Sequence, residues 1–315
     1  MNAYFPPGLL PVLAGNFSVL VIATGIIRGL RNHLSNMGYT ELVQRVRSWW
    51  IIFGIFTFAI VTDKVLFLLL MTLISYLAFK EFVSMVPVRR ADRKLLLLLY
   101  LSIPIQYTWI WFQWYGMFLV FIPVVLFLLL QVGMILGRET RGYLRAGATL
   151  YWGMMISVFS LSHLGYLMVL PQEQGTHAYG ACLVIYIVLL TQINDVAQYL
   201  WGKTLGHTKI IPEISPNKTW AGFLGGIFTT SAISMVISPA LTPFGTITAL
   251  IAGLLIGITG FFGDLSISAI KRELCMKNTG DLIPGHGGIL DRVDSLTFTA
   301  PLFFHCFYLY TFISG

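Results

Sequence analysis

Charged residues and cysteines are both scarce in this sequence. Asp, Glu, Lys and Arg together make up 10% of its 315 residues, whereas hydrophobic residues make up 57%. A soluble globular domain carries about 25% charged residues, so this composition excludes an ordinary soluble domain. The 3 cysteines are an odd number without metal-ligand spacing, which argues against a disulfide framework. No Lys or Arg precedes the first apolar run, so a secretory signal peptide is not expected.

Long apolar stretches account for most of the chain. A helix needs about 20 residues to cross the hydrocarbon core of a bilayer, and most of these stretches approach that length. The sequence therefore predicts an all-α, polytopic integral membrane protein with about ten transmembrane helices. The predicted spans are residues 10–27, 49–62, 65–80, 95–112, 116–136, 147–170, 178–200, 220–240, 243–264 and 296–313.

The basic residues indicate how these spans are oriented. If the spans alternate in direction, all of the 20 Lys and Arg residues except Lys64 lie on one side of the membrane. The positive-inside rule makes that side cytoplasmic. The net charge of +7 then suits anionic lipid headgroups and phosphates rather than nucleic acid. The lack of long hydrophilic tails favours a bacterial inner membrane.

The acidic residues divide the chain into two regions. We interpret the six in residues 1–193 as solvated loop charges, namely Glu41, Asp63, Glu81, Asp92, Glu139 and Glu173. Residues 194–294 hold seven, namely Asp195, Glu213, Asp264, Glu273, Asp281, Asp291 and Asp294. Within one continuous membrane domain, we therefore expect residues 1–193 to form a scaffold and lipid-facing wall. Residues 194–315 are expected to form the catalytic region, with its site at the cytoplasmic face.

Asp195 is the first candidate site residue, in the last turns of the seventh predicted span. A carboxylate is costly there unless it has a partner, so we predict that Asp195 binds substrate. The alternative is an interfacial cap or an ion pair with Lys203.

A Ser-Pro segment before the eighth span is the second candidate. Ser215, Lys218 and Thr219 bring two hydroxyls and a cation to the start of a helix, a combination that binds phosphate readily. We predict that all three contact substrate. An ordinary helix entry at the membrane interface is the alternative, and the segment alone does not decide between them.

The stretch from residue 263 to 295 gathers the densest set of ionisable side chains. Four of them recur at helical spacing and should share one helix face, namely Asp264, Ser268, Lys271 and Arg272. Ser268 is a candidate substrate contact, although a small packing residue is the alternative. His286 lies between glycines, where a phosphate-binding or acid–base role and a structural role are equally supported.

Asp291 and Asp294 lie three residues apart, with Arg292 between them as a further candidate substrate contact. We predict that Asp264, Asp291 and Asp294 hold Mg²⁺, because this ion prefers oxygen ligands and is usually shared with substrate phosphates. A second cation is also compatible with three carboxylates.

Together these residues point to nucleotidyl transfer at a membrane surface. Lys271 and Arg272 would neutralise phosphate charge, while carboxylates hold the metal and the bilayer supplies a lipid acceptor. The predicted catalytic residues are Asp264, Lys271, Arg272, Asp291 and Asp294. Positioning and charge neutralisation supply most of the rate in such transfers.

At these residues the chain resembles the CDP-diacylglycerol synthase (phosphatidate cytidylyltransferase) family. The family signature Ser-x-x-Lys-Arg is present at residues 268–272, His-Gly-Gly at 286–288 and Asp-Arg-x-Asp at 291–294. Residues 215–222 match the family's Ser-Pro-x-Lys-Thr-Trp-x-Gly, and Asp195, Tyr199 and Gly202 match a further element.

The resemblance implies that phosphatidate and CTP give CDP-diacylglycerol and diphosphate. It implies that Asp264 and Asp291 ligate Mg²⁺, with Asp294 assisting or holding a second cation. It also implies phosphate contacts from the basic pair of the signature and from the Ser-Pro segment. A homodimer is likewise a family expectation.

Three departures from the family pattern predict a divergent bacterial-type member. Asn278 stands where the family has Asp, Ala221 stands where it usually has Glu, and residues 196–198 replace a common Thr-Gly-Ala. Two rival functions remain open. One is a sister nucleotidyltransferase using another lipid phosphate, and the other is an ion or anionic-lipid transporter, which would place its carboxylates near mid-bilayer.

Overall fold

The computed structural model describes residues 9–29, 36–170, 179–276, 278–280 and 287–314. Within those ranges the chain is helical and has no strand beyond isolated bridges such as that between Lys209 and Thr219. The prediction of an all-α fold is confirmed. The helices are α1 Leu9–Gly29, α2 Asn36–Thr62, α3 Lys64–Met85, α4 Arg93–Trp111, α5 Tyr115–Leu136, α6 Tyr143–Val169, α7 Tyr179–Leu205, α8 Trp220–Leu241, α9 Thr246–Glu273, α10 Leu290–Val293 and α11 Leu296–Ser314.

Ten of these helices coincide with the ten predicted spans, and only α10 is a short extra turn. Eight of the described helices are long and apolar enough to cross a membrane. The other two long helices, α4 and α11, have 19 residues each, close to the roughly 20 that a span needs. The protein is an integral membrane protein with about ten transmembrane helices.

Two helices extend well beyond their predicted apolar spans. Helix α2 begins at Asn36 rather than near residue 49, and α9 continues to Glu273 rather than ending near 264. A helix satisfies its own backbone hydrogen bonds, so it can continue past the apolar segment into polar sequence. The extension of α9 places the residues from Asp264 to Arg272 on one continuous helix, as their spacing predicts.

Small residues bring α7, α8 and α9 into close contact. A Cβ atom added to Gly222 of α8 would lie 2.6 Å from the Gln198 carbonyl oxygen of α7, and one added to Gly253 of α9 would lie 2.5 Å from Ser231 Cα of α8. At Gly263, an added Cβ would lie 2.6 Å from the carbonyl oxygen of Asp294. Such small-residue contacts let membrane helices approach closely, and here they set the spacing of the candidate site.

Asp92 is buried and bound to Arg89, so the interpretation of this residue as a solvated charge was wrong. Its carboxylate is only 1% exposed and accepts hydrogen bonds from Arg89 Nε (2.6 Å) and Nη2 (3.0 Å). The Nη1 atom of Arg89 donates to the carbonyls of Glu139 (3.0 Å) and Arg141 (2.8 Å). This paired, charge-assisted contact allows Asp92 to be buried and fixes the turn between α5 and α6 against the start of α4.

Candidate active site

Three carboxylates from separate parts of the chain lie near one another beside Gly263. Asp195 lies within α7 and Asp264 within α9, and Asp294 lies between α10 and α11. The hydroxyl of Ser295 donates to both carboxylate oxygens of Asp195 (3.1 Å each), while its backbone nitrogen donates to Asp294 Oδ1 (2.8 Å). Ser295 therefore joins two of the predicted site residues.

The surroundings of Asp294 favour a cation. Burial raises its pKa well above the ordinary value, and the nearby carboxylates of Asp264 and Asp195 raise it further. Lys271 and the backbone nitrogen of Ser295 oppose that rise only partly. Neighbouring carboxylates in a poorly solvated site repel each other unless a positive charge lies between them.

Lys218 partly supplies that positive charge. Its ammonium group lies 2.6 Å from Asp264 Oδ2 and 2.9 Å from Gln198 Oε1, and 5.5 Å from the centre of the Phe261 ring. On the other carboxylate oxygen, Ser268 donates to Asp264 Oδ1 at 3.3 Å. The structure thus brings together the predicted residues Asp264, Ser268 and Lys218.

Lys203 does not pair with Asp195, the alternative that the sequence left open. The Lys203 ammonium lies over the ring of Tyr199, 5.9 Å from its centre. Asp195 instead contacts Ser295, just before the C-terminal helix α11, and Ser295 also bonds Asp294.

Asp291 belongs to a neighbouring set of contacts. Its Oδ1 atom pairs with Lys271 Nζ at 2.8 Å, and its Oδ2 accepts from the backbone nitrogens of Thr279 (2.9 Å) and Gly288 (3.2 Å) and from Thr279 Oγ1 (3.0 Å). Burial alone would raise the pKa of Asp291, but Lys271 and the two backbone donors lower it below the ordinary value. Asp291 is therefore an ionised residue that joins the end of α9, through Lys271, to Thr279 and Gly288.

Glu81 of α3 is a buried participant in this set, so its interpretation as a solvated charge was wrong. It is only 9% exposed. Its two oxygens accept from the backbone nitrogens of Ile289 (2.8 Å) and Leu290 (2.9 Å), and Thr279 Oγ1 lies 3.3 Å away. These are the nitrogens at the start of α10, and backbone groups there need partners when they are buried.

Glu81 lies in the predicted scaffold, residues 1–193, and its partners lie in the predicted catalytic region, residues 194–315. The division of the chain into these two regions stays a prediction. The structure shows that a side chain from the first region anchors the start of α10, the short helix that carries Asp291. Sequence spacing gave no sign of this contact, because more than 200 residues separate Glu81 from its partners.

The Ser-Pro segment contributes both a helix cap and a link to α9. Thr219 is buried and caps α8, its Oγ1 accepting from the Gly222 backbone nitrogen at 3.1 Å. Arg272 Nε donates to the Ile214 carbonyl at 3.1 Å, beside the partly exposed Ser215. The predicted substrate contacts of Ser215, Thr219 and Arg272 stay predictions.

Two buried nitrogen atoms near the carboxylates have no hydrogen-bond partner in the described part of the chain. They are Arg292 Nε and Gln198 Nε2. An unpaired buried donor is costly, and a guanidinium is well suited to phosphate. The free donor on Arg292 is consistent with an anionic ligand. His286 lies outside the described residues, so its predicted role stays a prediction.

The arrangement fits a divalent cation shared with substrate. Among the residues described, no three His, Cys, Asp or Glu side chains form a metal-binding group. Magnesium is, however, usually held by one or two carboxylates together with substrate phosphates, and Asp264 lies near enough to Asp294 to raise its pKa. Asp264 and Asp291 are each paired with a lysine, Lys218 and Lys271. The metal role of Asp264, Asp291 and Asp294 stays a prediction.

Comparison with known families shows which family this chain belongs to. The sequence profile described as "Cytidylyltransferase family" matches residues 43–310. This chain belongs to the cytidylyltransferase family. The resemblance seen in the signature is therefore confirmed, and the protein is an enzyme of this class.

Several bacterial proteins are similar in sequence to this chain. An uncharacterized protein of Escherichia coli (strain K12), YnbB, is 44% identical over 295 residues, covering 93% of this chain and 96% of the relative. A phosphatidate cytidylyltransferase of Bacillus subtilis (strain 168) is 31% identical over 280 residues, covering 86% and 99%. One from Synechocystis sp. is 46% identical over 112 residues, covering 35% and 38%.

Proposed function

We propose that this enzyme transfers the cytidylyl group of CTP to phosphatidate, with the help of Mg²⁺, at the cytoplasmic face of a bacterial inner membrane. The observation that carries the proposal is the meeting of Asp195, Asp264 and Asp294 beside the unpaired Nε of Arg292. Relatives named phosphatidate cytidylyltransferase support the choice of substrates.

The proposed reaction is one displacement at phosphorus. A phosphate oxygen of phosphatidate attacks the α-phosphorus of CTP, and a new P–O bond forms as the bond to the β-phosphate breaks. The electron pair leaves with diphosphate, and CDP-diacylglycerol remains in the bilayer. Such a transfer depends on alignment of the two phosphates and on neutralisation of their charge.

The residues of the chain divide these tasks. Asp264 and Asp294 would hold the divalent cation, which supplies charge neutralisation for the phosphates when it is bound. Arg292 offers a donor to a phosphate oxygen, while Lys218 is held between Gln198 and Asp264. Lys271 pairs with Asp291 at 2.8 Å, which holds the short helix α10 beside the end of α9.

Conservative variants of two aspartates test this proposal. Purified protein with CTP, Mg²⁺ and phosphatidate should release diphosphate, and Asp264→Asn should lower kcat by about 10² or more, because one charge-stabilising group contributes several kcal/mol to the transition state. Asp63→Asn is the matched control, since Asp63 is exposed and makes no side-chain cap bond at the start of α3. Full turnover by Asp264→Asn would refute the proposed role of this site.

A panel of lipid phosphates separates the proposal from its nearest rival. If another lipid phosphate supports faster diphosphate release than phosphatidate does, the enzyme is a sister nucleotidyltransferase. Homodimer formation stays a prediction from the family resemblance, and cross-linking of the purified protein in lipid would test it.

A further inference from the structure

A cleft of about 670 Å³ lies among the end of α3, the start of α6 and the end of α9. Phe82, Trp152 and Ile270 contribute apolar wall, and Arg90, Arg141 and Arg145 lie around it. None of the candidate site aspartates lines this cleft. Its size is in the range of small-ligand pockets, which are about 300–1,000 Å³.

The arginines of the cleft are held near one another by the contact of Arg89 with the turn after α5. Arg89 bonds the carbonyl of Arg141 at 2.8 Å, so the turn that carries Arg141 is fixed beside Arg90. In the described part of the chain, the guanidinium groups of Arg90 and Arg141 have no hydrogen-bond or ion-pair partner. Two unpaired cations therefore face the same space.

Two carboxylates also line the cleft without cancelling this charge. Glu139 Oε1 accepts from the backbone nitrogen of Arg141 at 3.1 Å. Glu273 lies 3.9 Å from Arg145, and the two side chains are 75% and 81% exposed. An exposed ion pair of that length contributes little, so Arg90 and Arg141 stay available to an anion.

The apolar wall continues onto the outer surface of α6. Leu144, Ala148 and Trp152 recur every four residues and share one helix face. Leu144 is 81% exposed and Trp152 is 41% exposed, although both are large and apolar. In a membrane protein such a face lies against acyl chains, so the cleft is continuous with the lipid.

We propose that this cleft binds an anionic phospholipid, with its phosphate at Arg90 and Arg141 and an acyl chain along Phe82 and Trp152. Charge complementarity at the arginines and the continuous apolar wall both favour a lipid over a soluble anion. Arginine contacts with anionic headgroups are a general means of lipid selection at a membrane surface. The site needs neither CTP nor metal and does not depend on the proposed reaction.

Fluorescence quenching at Trp152 tests the proposal directly. The full-length protein is placed in phosphatidylcholine nanodiscs that contain a small fraction of either phosphatidate or phosphatidylcholine with brominated chains. The signal of Trp152 is the difference between the wild type and Trp152→Phe. We expect stronger quenching by brominated phosphatidate than by brominated phosphatidylcholine at the same mole fraction.

Variants of the arginines show whether the selectivity comes from the cleft. Arg90→Gln and Arg141→Gln should each lower the preference for phosphatidate about fivefold, while Arg141→Lys should keep most of it. Arg93→Gln is the matched control, because Arg93 is exposed on the same turn but does not line the cleft. Equal quenching by both brominated lipids, or an equal loss in Arg93→Gln, would overturn the proposal.

Discussion

Removal of the Glu81 carboxylate should loosen the start of α10, the short helix that carries Asp291. Glu81 accepts two backbone hydrogen bonds, from Ile289 at 2.8 Å and Leu290 at 2.9 Å. A hydrogen bond to a charged group contributes about 1.5–3 kcal/mol, so Glu81→Ala should cost about 3–6 kcal/mol in local stability. Glu81→Gln keeps one carbonyl oxygen as an acceptor and should cost about half as much.

Hydrogen exchange measures this local effect. A loss of about 3 kcal/mol corresponds to about a hundredfold faster exchange at the amides of Ile289 and Leu290. Turnover should fall in the same order, with Glu81→Ala below Glu81→Gln, because Asp291 bonds the same Thr279 and Gly288 that pack on Glu81. The two effects should appear together if Glu81 acts by positioning the start of α10.

Ser84→Ala is the matched control for this prediction. Ser84 is exposed and bonds only the Glu81 carbonyl at 2.7 Å, so its exchange pattern and turnover should match the wild type. Unchanged exchange at Ile289 and Leu290 in Glu81→Ala would refute the reasoning, whatever the effect on activity.

Three further predictions follow from the site. Gly263→Ala places a Cβ 2.6 Å from the carbonyl oxygen of Asp294; such overpacking costs about 1–3 kcal/mol and should lower both thermal stability and kcat. Lys271→Gln removes the ion-pair partner of Asp291 at 2.8 Å, a loss that costs about 3–5 kcal/mol for a buried pair, and turnover should be nearly abolished while Lys271→Arg retains part of it. Chelation with EDTA should abolish diphosphate release, and added Mg²⁺ should restore it.

The two substitutions each have a control variant in the same chain. Gly54→Ala adds a Cβ that meets nothing within 4 Å, so it should leave stability unchanged. Lys80→Gln removes an exposed lysine of α3 and should leave turnover unchanged. Normal kcat in Gly263→Ala, full turnover in Lys271→Gln, or diphosphate release that persists in EDTA would contradict the corresponding prediction.

Apolar length and helical spacing made the fold and part of the site predictable. The ten apolar spans correspond to ten long helices because a chain in a bilayer must satisfy its backbone bonds internally. The spacing of Asp264 and Ser268 correctly placed them on one face of α9, where they are hydrogen-bonded. The cost of a carboxylate in an apolar span likewise made Asp195 a candidate.

Contacts between distant parts of the chain were not predictable from spacing. Glu81 and Asp92 looked like solvated charges because basic residues lie near them in sequence, yet both are buried. Nothing in the residue types of Ser295 and Gln198 predicted their contacts, since these contacts depend on which helices meet. Only its position directly after Asp294 in the sequence could have marked Ser295 as a candidate.

The most direct test of the central claim follows two labels on CTP. Purified protein in phosphatidate-containing vesicles receives CTP labelled at either the α- or the γ-phosphorus, with Mg²⁺ present. Cytidylyl transfer predicts that the α label enters the organic phase with the lipid while the γ label stays in water and is converted to diphosphate. In Asp264→Asn, both the transfer of the α label and the release of labelled diphosphate should be slowed by about 10² or more. Transfer of the γ label to lipid, or no label in the organic phase, would contradict the account.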